Sequence, residues 1–193
     1  MSADTRILLG SKNPDKIGEV KAILGDVAQW LTIEQHPFAN VEEDGETIED
    51  NARKKASSIC KETQLVVLAE DTGLEVDALH GAPGVFSARY AGEEASYEDN
   101  VAKLLGELRG QAKRRARFRC VCIVCFPDGR ELLAQGQLPG AILTAPRGRG
   151  GFGYDPVFLP DGFSKTLAEL PSSTKNHISH RARALNAMRL KLA

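Results

Sequence analysis

The feature that most restricts how this chain can fold is Leu65-Val66-Val67-Leu68-Ala69 followed at once by Glu70-Asp71-Thr72-Gly73. A short apolar, β-branched run between polar flanks reads as a buried strand. It ends in two adjacent carboxylates. In open α/β sheets ligands bind outside the carboxyl ends of the strands, so two acids delivered there point to a ligand site. Buried carboxylates are costly unless compensated, so cations are required nearby. The same residues also suit a solvated strand-to-loop junction, because Asp-Thr-Gly is ordinary turn chemistry.

A comparable junction lies at the start. Arg6-Ile7-Leu8-Leu9-Gly10 reads as a strand that stops at Ser11-Lys12-Asn13-Pro14-Asp15-Lys16. Ile17, Val20, Ile23 and Leu24 then recur at helical spacing. Asn13 is a good N-cap, Pro14 suits the first helical position, and Asp15 favours the first turn. A strand, a tight loop and a helix N-terminus present backbone N–H groups and a positive dipole end to an anion. Ser11, Asn13 and Lys16 add side-chain donors. Capping alone also explains Asn13 and Pro14.

Between these junctions, residues 27–33 are expected to form a strand. An acidic loop, Val41-Glu42-Glu43-Asp44-Gly45-Glu46, leads into Thr47-Ile48-Glu49-Asp50, a capping box that opens a helix. Ile48, Ala52, Ala56 and Ile59 form its apolar stripe. Further on, Ser96-Tyr97-Glu98-Asp99 opens another helix. Residues 118–126 and 131–138 are expected strands, joined through Pro127-Asp128-Gly129-Arg130. The Lys113-Arg114-Arg115 cluster can read as a nucleic-acid patch. Its continuation, Arg117 and Arg119 alternating with Phe118 and Cys120, has the phase of a half-solvated strand.

Two motifs are decoys. Cys122 and Cys125 sit on an expected strand, where residues three apart face opposite ways and cannot easily share a metal ion. Gly148 to Gly153 spells G-x-G-x-x-G, but extended chain follows at Pro156-Val157-Phe158 where a dinucleotide fold needs a helix. These glycines still permit close approach of a flat ligand, with Phe152 and Tyr154 as stacking faces. Near the end, Ser179 can cap a final helix with His180 and Arg181 in its first turn. Cations there oppose the helix dipole, so their placement is slightly unfavourable unless an electron-rich ligand meets them.

Composition excludes several classes. A net charge of −1 gives no overall attraction to nucleic acid or membranes. No apolar run approaches the ~20 residues that span a bilayer. Met1 to Thr5 lacks a signal-peptide pattern, so a cytoplasmic protein with four reduced cysteines is expected. The 193 residues fit one domain or one domain of two lobes.

Taken in order, Ser11–Glu19, Glu42–Thr47 with Asp50-Asn51-Ala52, Glu70–Leu74, Gly81–Gly84 with Ser87–Tyr90, Gly150–Pro156 and Ile178–Arg181 form one pattern. The chain resembles the inosine triphosphate pyrophosphatase-like family, hydrolases of non-standard purine nucleoside triphosphates such as ITP, dITP and XTP. The resemblance implies a single domain over residues 1–193, α/β in class. It would be elongated and two-lobed around a long mixed sheet, with the nucleotide in the cleft between lobes. It also implies a homodimer, Mg²⁺ dependence and release of pyrophosphate. Ser11, Lys12, Asn13, Pro14, Asp15 and Lys16 match the family's triphosphate loop, and Lys55 its phosphate-contacting lysine. Asp71 matches the catalytic acid, with Thr72 beside it at a substrate contact. Glu43 and Asp71 match the metal-binding acids, with Glu42, Glu46 and Glu70 as competitors. Phe152, Gly153, Tyr154, Asp155, Lys175, His180 and Arg181 match the base-recognition residues. Two other readings remain at this stage: a pyrophosphatase for other modified nucleotides, and a nucleotide- or RNA-binding module without turnover that uses residues 113–119.

Overall fold

The computed structural model describes residues 5–193. Strand β1 (Arg6–Leu9) is followed by α1 (Pro14–Leu24), β2 (Gln29–Leu31), α2 (Ile48–Thr63) and β3 (Val66–Val76). Then come β4 (Pro83–Gly84), α3 (Tyr97–Glu107) and the long strands β5 (Arg115–Cys125) and β6 (Glu131–Ile142). The chain closes with β7 (Phe158–Pro160), α4 (Ser172–Ile178) and α5 (His180–Leu192). The strands form one sheet in the order β2-β1-β3-β5-β6-β7, with β4 paired to β3. β1 runs parallel to β2 and β3, whereas β4 on β3 and β7 on β6 are antiparallel. The α/β class and the mixed sheet agree with the sequence reading.

Helix starts follow from local chemistry. The Asn13 Oδ1 accepts from the N–H groups of Asp15 at 2.9 Å and Lys16 at 3.2 Å, and Pro14 opens α1. Thr47 and Asp50 close a reciprocal capping box on α2, and Ser96 and Asp99 do the same for α3. Each box satisfies two N–H groups that the first turn leaves without helical partners.

The chain divides into two compact units. The first comprises Met1–Asp71, Cys120–Gly136 and Arg181–Ala193. Its core joins Ile7 and Leu9 of β1, Val20 and Leu24 of α1, Leu68 of β3, Cys120, Cys122 and Val124 of β5, and Leu185 and Met188 of α5. All four cysteines are buried free thiols. The second unit comprises Thr72–Arg119 and Gln137–His180. Its core gathers Leu74 and Val76 of β3, Leu104 of α3, Phe118 of β5, Leu138 and Ile142 of β6, and Phe158 of β7.

Several boundaries differ from expectation. The central strand does not end at Ala69; β3 continues through Glu70 and Asp71 to Val76. Buried Leu74 and Val76 extend its apolar pattern, and Leu74 and Glu75 pair with Gly84 and Pro83. The expected strand over 27–33 shrinks to Gln29–Leu31, where it pairs with β1. β5 begins three residues early, at Arg115, and β6 continues past exposed Pro139 to Ile142. Helix α4 was not anticipated. The reading of the N-terminal leader falls largely on residues 1–4, outside the described residues. No helix among the described residues is long and apolar enough to cross a membrane.

Arg114, Arg115, Arg117 and Arg119 each have a partner within the chain. Arg114 donates to the carbonyls of Leu108, Ile142 and Leu143, each at 2.7 Å. Arg115 forms a two-pronged pair with Asp161, and Arg117 and Arg119 both engage Glu75. Replacing Arg114→Met strips three carbonyls of their donor. The expected loss is about 2–3 kcal/mol of unfolding free energy, read from equilibrium urea denaturation. No change would contradict the assignment.

Candidate functional site

The first unit gathers acids and cations around residues 70 and 71. β3 buries both carboxylates; the Glu70 side chain is 2% exposed and that of Asp71 7%. α1 starts directly after the strand-loop junction and brings Lys16 Nζ to 3.1 Å from Glu70 Oε1. α2 brings Lys55, whose Nζ lies 3.3 Å from Asp71 Oδ1 and 3.1 Å from Glu43 Oε1. Arg181, the second residue of α5, sets one guanidinium nitrogen 2.6 Å from Glu19 Oε2 and the other 3.3 Å from Glu70 Oε1. The Cys120 thiol lies 3.3 Å from Glu70 Oε2.

The electrostatics follow from this crowding. Burial pushes the Asp71 carboxyl above the ordinary aspartate range. Glu43 and Glu70 add to the push, while Lys55 and Lys16 oppose it. Burial works against the Lys16 charge, but Glu70 and then Asp71 outweigh it and hold the ammonium above the usual lysine value. Burial likewise opposes the Arg181 charge, and Glu70 and Glu19 more than restore it. The sequence reading looked to a ligand to offset Arg181 at the start of α5; the structure sets two carboxylates of the chain itself, Glu19 and Glu70, against it.

Residues 11–16, expected to form a triphosphate loop, make the capped start of α1. Ser11 Oγ accepts from the Asn13 N–H at 3.2 Å, and Lys12 Nζ stands 5.9 Å from the centre of the Phe38 ring. Both readings of this loop use the same geometry: Asn13 and Pro14 build the cap, and the cap places Lys16. In the acidic loop Glu43 pairs with Lys55, whereas Glu42 and Glu46 are exposed.

The second unit holds a separate constellation. Asp155 Oδ2 accepts from the Phe152 N–H at 3.0 Å and pairs with Lys175 Nζ. That ammonium stands 4.5 Å from the Phe152 ring centre, a cation–π contact. Gly151 has φ +68, and a Cβ there would strike the Asp155 carboxylate, so only glycine allows this closure. The Tyr154 hydroxyl donates to the Ser87 carbonyl at 2.9 Å, which fixes the loop from behind. Gly153, at φ +61, completes the turn. His180 is buried and stacks on Phe118 with ring centres 4.5 Å apart. Thr72 follows Asp71 on β3 and is half-buried.

Thus Ser11–Lys16, Glu43, Lys55, Asp71 and Arg181 lie in the first unit. Thr72, Phe152–Asp155, Lys175 and His180 lie in the second. Sequence reasoning gave no role to Glu19, to Phe118 or to Asn51. Glu19 lies three residues after Lys16 on α1, a helical-face spacing that could have suggested it. Phe118 and Asn51 carried no signal beyond burial.

The sequence model of the Ham1 family matches residues 7–191. The dITP/XTP pyrophosphatase of Geobacter sulfurreducens is 50% identical over 185 residues, covering 94% of this chain and 93% of its own. That of Bacillus licheniformis is 48% identical, covering 94% and 95%. The solved Staphylococcus aureus Ham1 protein superposes with a TM-score of 0.88 at 41% identity, covering 97% of this chain and 98% of its own. A HAM1 protein from Coxiella burnetii gives 0.90 at 37%, with the same coverage.

The Asp71 shift predicts a pH dependence. The folded chain holds this proton more tightly than the unfolded one, whose ordinary value is 3.8. The stability that Asp71 contributes is therefore fully present below 3.8 and falls as pH rises through the native value. Asp71→Asn is expected to raise the melting temperature near about pH 7.5 without divalent ions, the gain shrinking toward about pH 4. Thermal melts in chelator measure this; a neutral-pH loss contradicts it.

Proposed function

The chain belongs to the Ham1 family, and from that premise we propose that it hydrolyses ITP, dITP and XTP to the monophosphate and pyrophosphate. It is thereby a nucleoside triphosphate pyrophosphatase, acting on phosphoric anhydride bonds. Relatives named dITP/XTP pyrophosphatase, matched over nearly their whole length, support this. The observation that carries the reading is Lys55 Nζ shared by Glu43 and Asp71, beside Lys16 on Glu70. A triphosphate brings about four negative charges, which demand positioned cations. Lys16 and Lys55 meet that demand.

Mg²⁺ takes oxygen ligands and is usually held by one or two carboxylates plus water and substrate phosphates. Glu43 and Asp71 fit it, because both already converge on one cationic group. When bound, Mg²⁺ would neutralise phosphate charge and lower the cost of ionising both acids. Asp71, whose carboxyl burial holds above the ordinary aspartate range, suits a general base. It would orient a water and take its proton as the oxygen bonds to the α-phosphorus. The bond from that phosphorus to the bridging oxygen breaks, and pyrophosphate leaves. Thr72 would contact the substrate next to this acid.

Base choice rests on the purine 6-position. Lys175, together with His180 and Arg181, offers donors that pair with a 6-oxo group and face a 6-amino group donor to donor. Phe152 supplies a stacking face, with Gly153, Tyr154 and Asp155 shaping the turn that carries it. Within this set Arg181 is paired with Glu19 and Glu70, and Lys175 with Asp155 beside the Phe152 ring. The reading further assigns the protein to the cytoplasm as a homodimer.

Pyrophosphate release from a panel of triphosphates with Mg²⁺ tests the proposal. Preference for ITP, dITP and XTP over ATP by about tenfold to a thousandfold is expected, the range a lost buried hydrogen bond supports. Equal or better use of ATP or dUTP overturns the substrate assignment.

A further inference from the structure

We infer that Asn51 is a positioning residue for Glu43, acting through the backbone of Gly45; the inference rests on the reading of Glu43 and Asp71 as the cation-binding acids. Asn51 is fully buried on α2, one turn before Lys55 and on the same face. Its Oδ1 accepts from the Gly45 N–H at 2.8 Å. Only the amide oxygen can accept that bond, so the contact fixes which way the amide faces. Gly45 lies two residues after Glu43 in the acidic loop.

The loop lies hard against the helix at this point. A Cβ on Gly45 would sit 2.7 Å from Asn51 Oδ1 and 2.8 Å from Asp50 Cβ. No other residue fits without moving the loop or the amide. Further attachments come from the same first turns of α2. Lys54 pairs with Asp44, Lys55 with Glu43, and Asp50 accepts from the Thr47 N–H. The Lys54 pair is exposed, and exposed ion pairs contribute little. The Asn51 bond is shielded and grips the backbone, so it sets where the loop runs. Asn51 is not a catalytic residue. It determines where Glu43 stands relative to Lys55 and Asp71.

The test uses the full chain and Mn²⁺ as probe, its binding to nucleotide-free protein followed by electron paramagnetic resonance. Mg²⁺ titration of turnover and thermal melts run alongside. Asn51→Leu removes the acceptor, Gly45→Ala breaks the same contact from the loop side, and Asn51→Asp keeps an acceptor. Asn51→Leu and Gly45→Ala should each weaken Mn²⁺ binding about tenfold, the usual effect of losing a group that orients a metal ligand. The Mg²⁺ needed for half-maximal turnover should rise in parallel, with turnover at saturating Mg²⁺ kept within about threefold. The double variant should bind no more weakly than the weaker single, since both cut one contact. Asn51→Asp should restore most of the binding.

A purely structural role predicts lower melting temperatures with unchanged Mn²⁺ affinity, and that result overturns the inference. Additive losses in the double variant overturn it too. Should Asn51→Leu fail to fold, Gly45→Ala against Asn51→Asp carries the comparison. If the unaltered protein neither binds Mn²⁺ nor releases pyrophosphate, the functional reading fails and takes this inference with it. If it does both and folded variants match it, only this inference falls.

Discussion

The structure depends on the neutralisation of two adjacent carboxylates inside a strand. β3 buries Glu70 and Asp71 in its middle rather than shedding them into a loop. Ionised carboxylates in such a place demand partners. Lys16 from α1, Lys55 from α2 and Arg181 from α5 provide them. Three helices of the first unit are therefore tied to one pair of residues by charge as well as by apolar packing. The balance is incomplete at Asp71, where burial and the neighbouring acids still oppose ionisation. On the proposed reading, a divalent cation brought by a polyphosphate would complete it. In this account stability and chemistry draw on the same unbalanced charge.

The second unit achieves order by different means. Its Phe152 loop is held by a buried Lys175–Asp155 pair, a glycine that lets the carboxylate reach the backbone, and a tyrosine hydroxyl on the Ser87 carbonyl. None of these groups is arranged to accept high negative charge. They fix an aromatic face and a donor, which is what recognition of a flat heterocycle requires. The proposed assignment of polyphosphate chemistry to the first unit and base recognition to the second follows the charge character of each unit.

Much of this was legible in the sequence because it is local. Asn13-Pro14, Thr47 with Asp50, and Ser96 with Asp99 announce helix starts through capping rules that need no tertiary information. The phase of Arg117 and Arg119 against Phe118 and Cys120 marked a half-solvated strand, and Glu75 is the partner that makes it structural. What could not be read is long-range. Arg181 meets Glu19 across 162 residues of chain, and no spacing rule links them. β3 was cut short at Ala69 because Glu-Asp-Thr-Gly is turn-like by composition. Its continuation depends on pairing with Pro83-Gly84 and on the Ser87 hydroxyl that accepts from the Leu74 N–H. The acidic loop offered three glutamates; the resemblance favoured Glu43, and the ion pair that Glu43 makes with Lys55 could not be read from spacing. Family resemblance supplied roles in advance, but not the ion pairs that make those roles physical.

The central claim is that burial holds the Asp71 carboxyl above the ordinary aspartate range and that a bound divalent cation would reverse this shift. Carbon-13 NMR titration of the aspartate carboxyls, with Asp71 assigned by its absence in an Asp71→Asn sample, addresses it directly. The account predicts that Asp71 titrates above the ordinary aspartate range in metal-free protein and moves sharply down when Mg²⁺ is added. An Asp71 carboxyl that titrates in the ordinary range and does not respond to Mg²⁺ would contradict it.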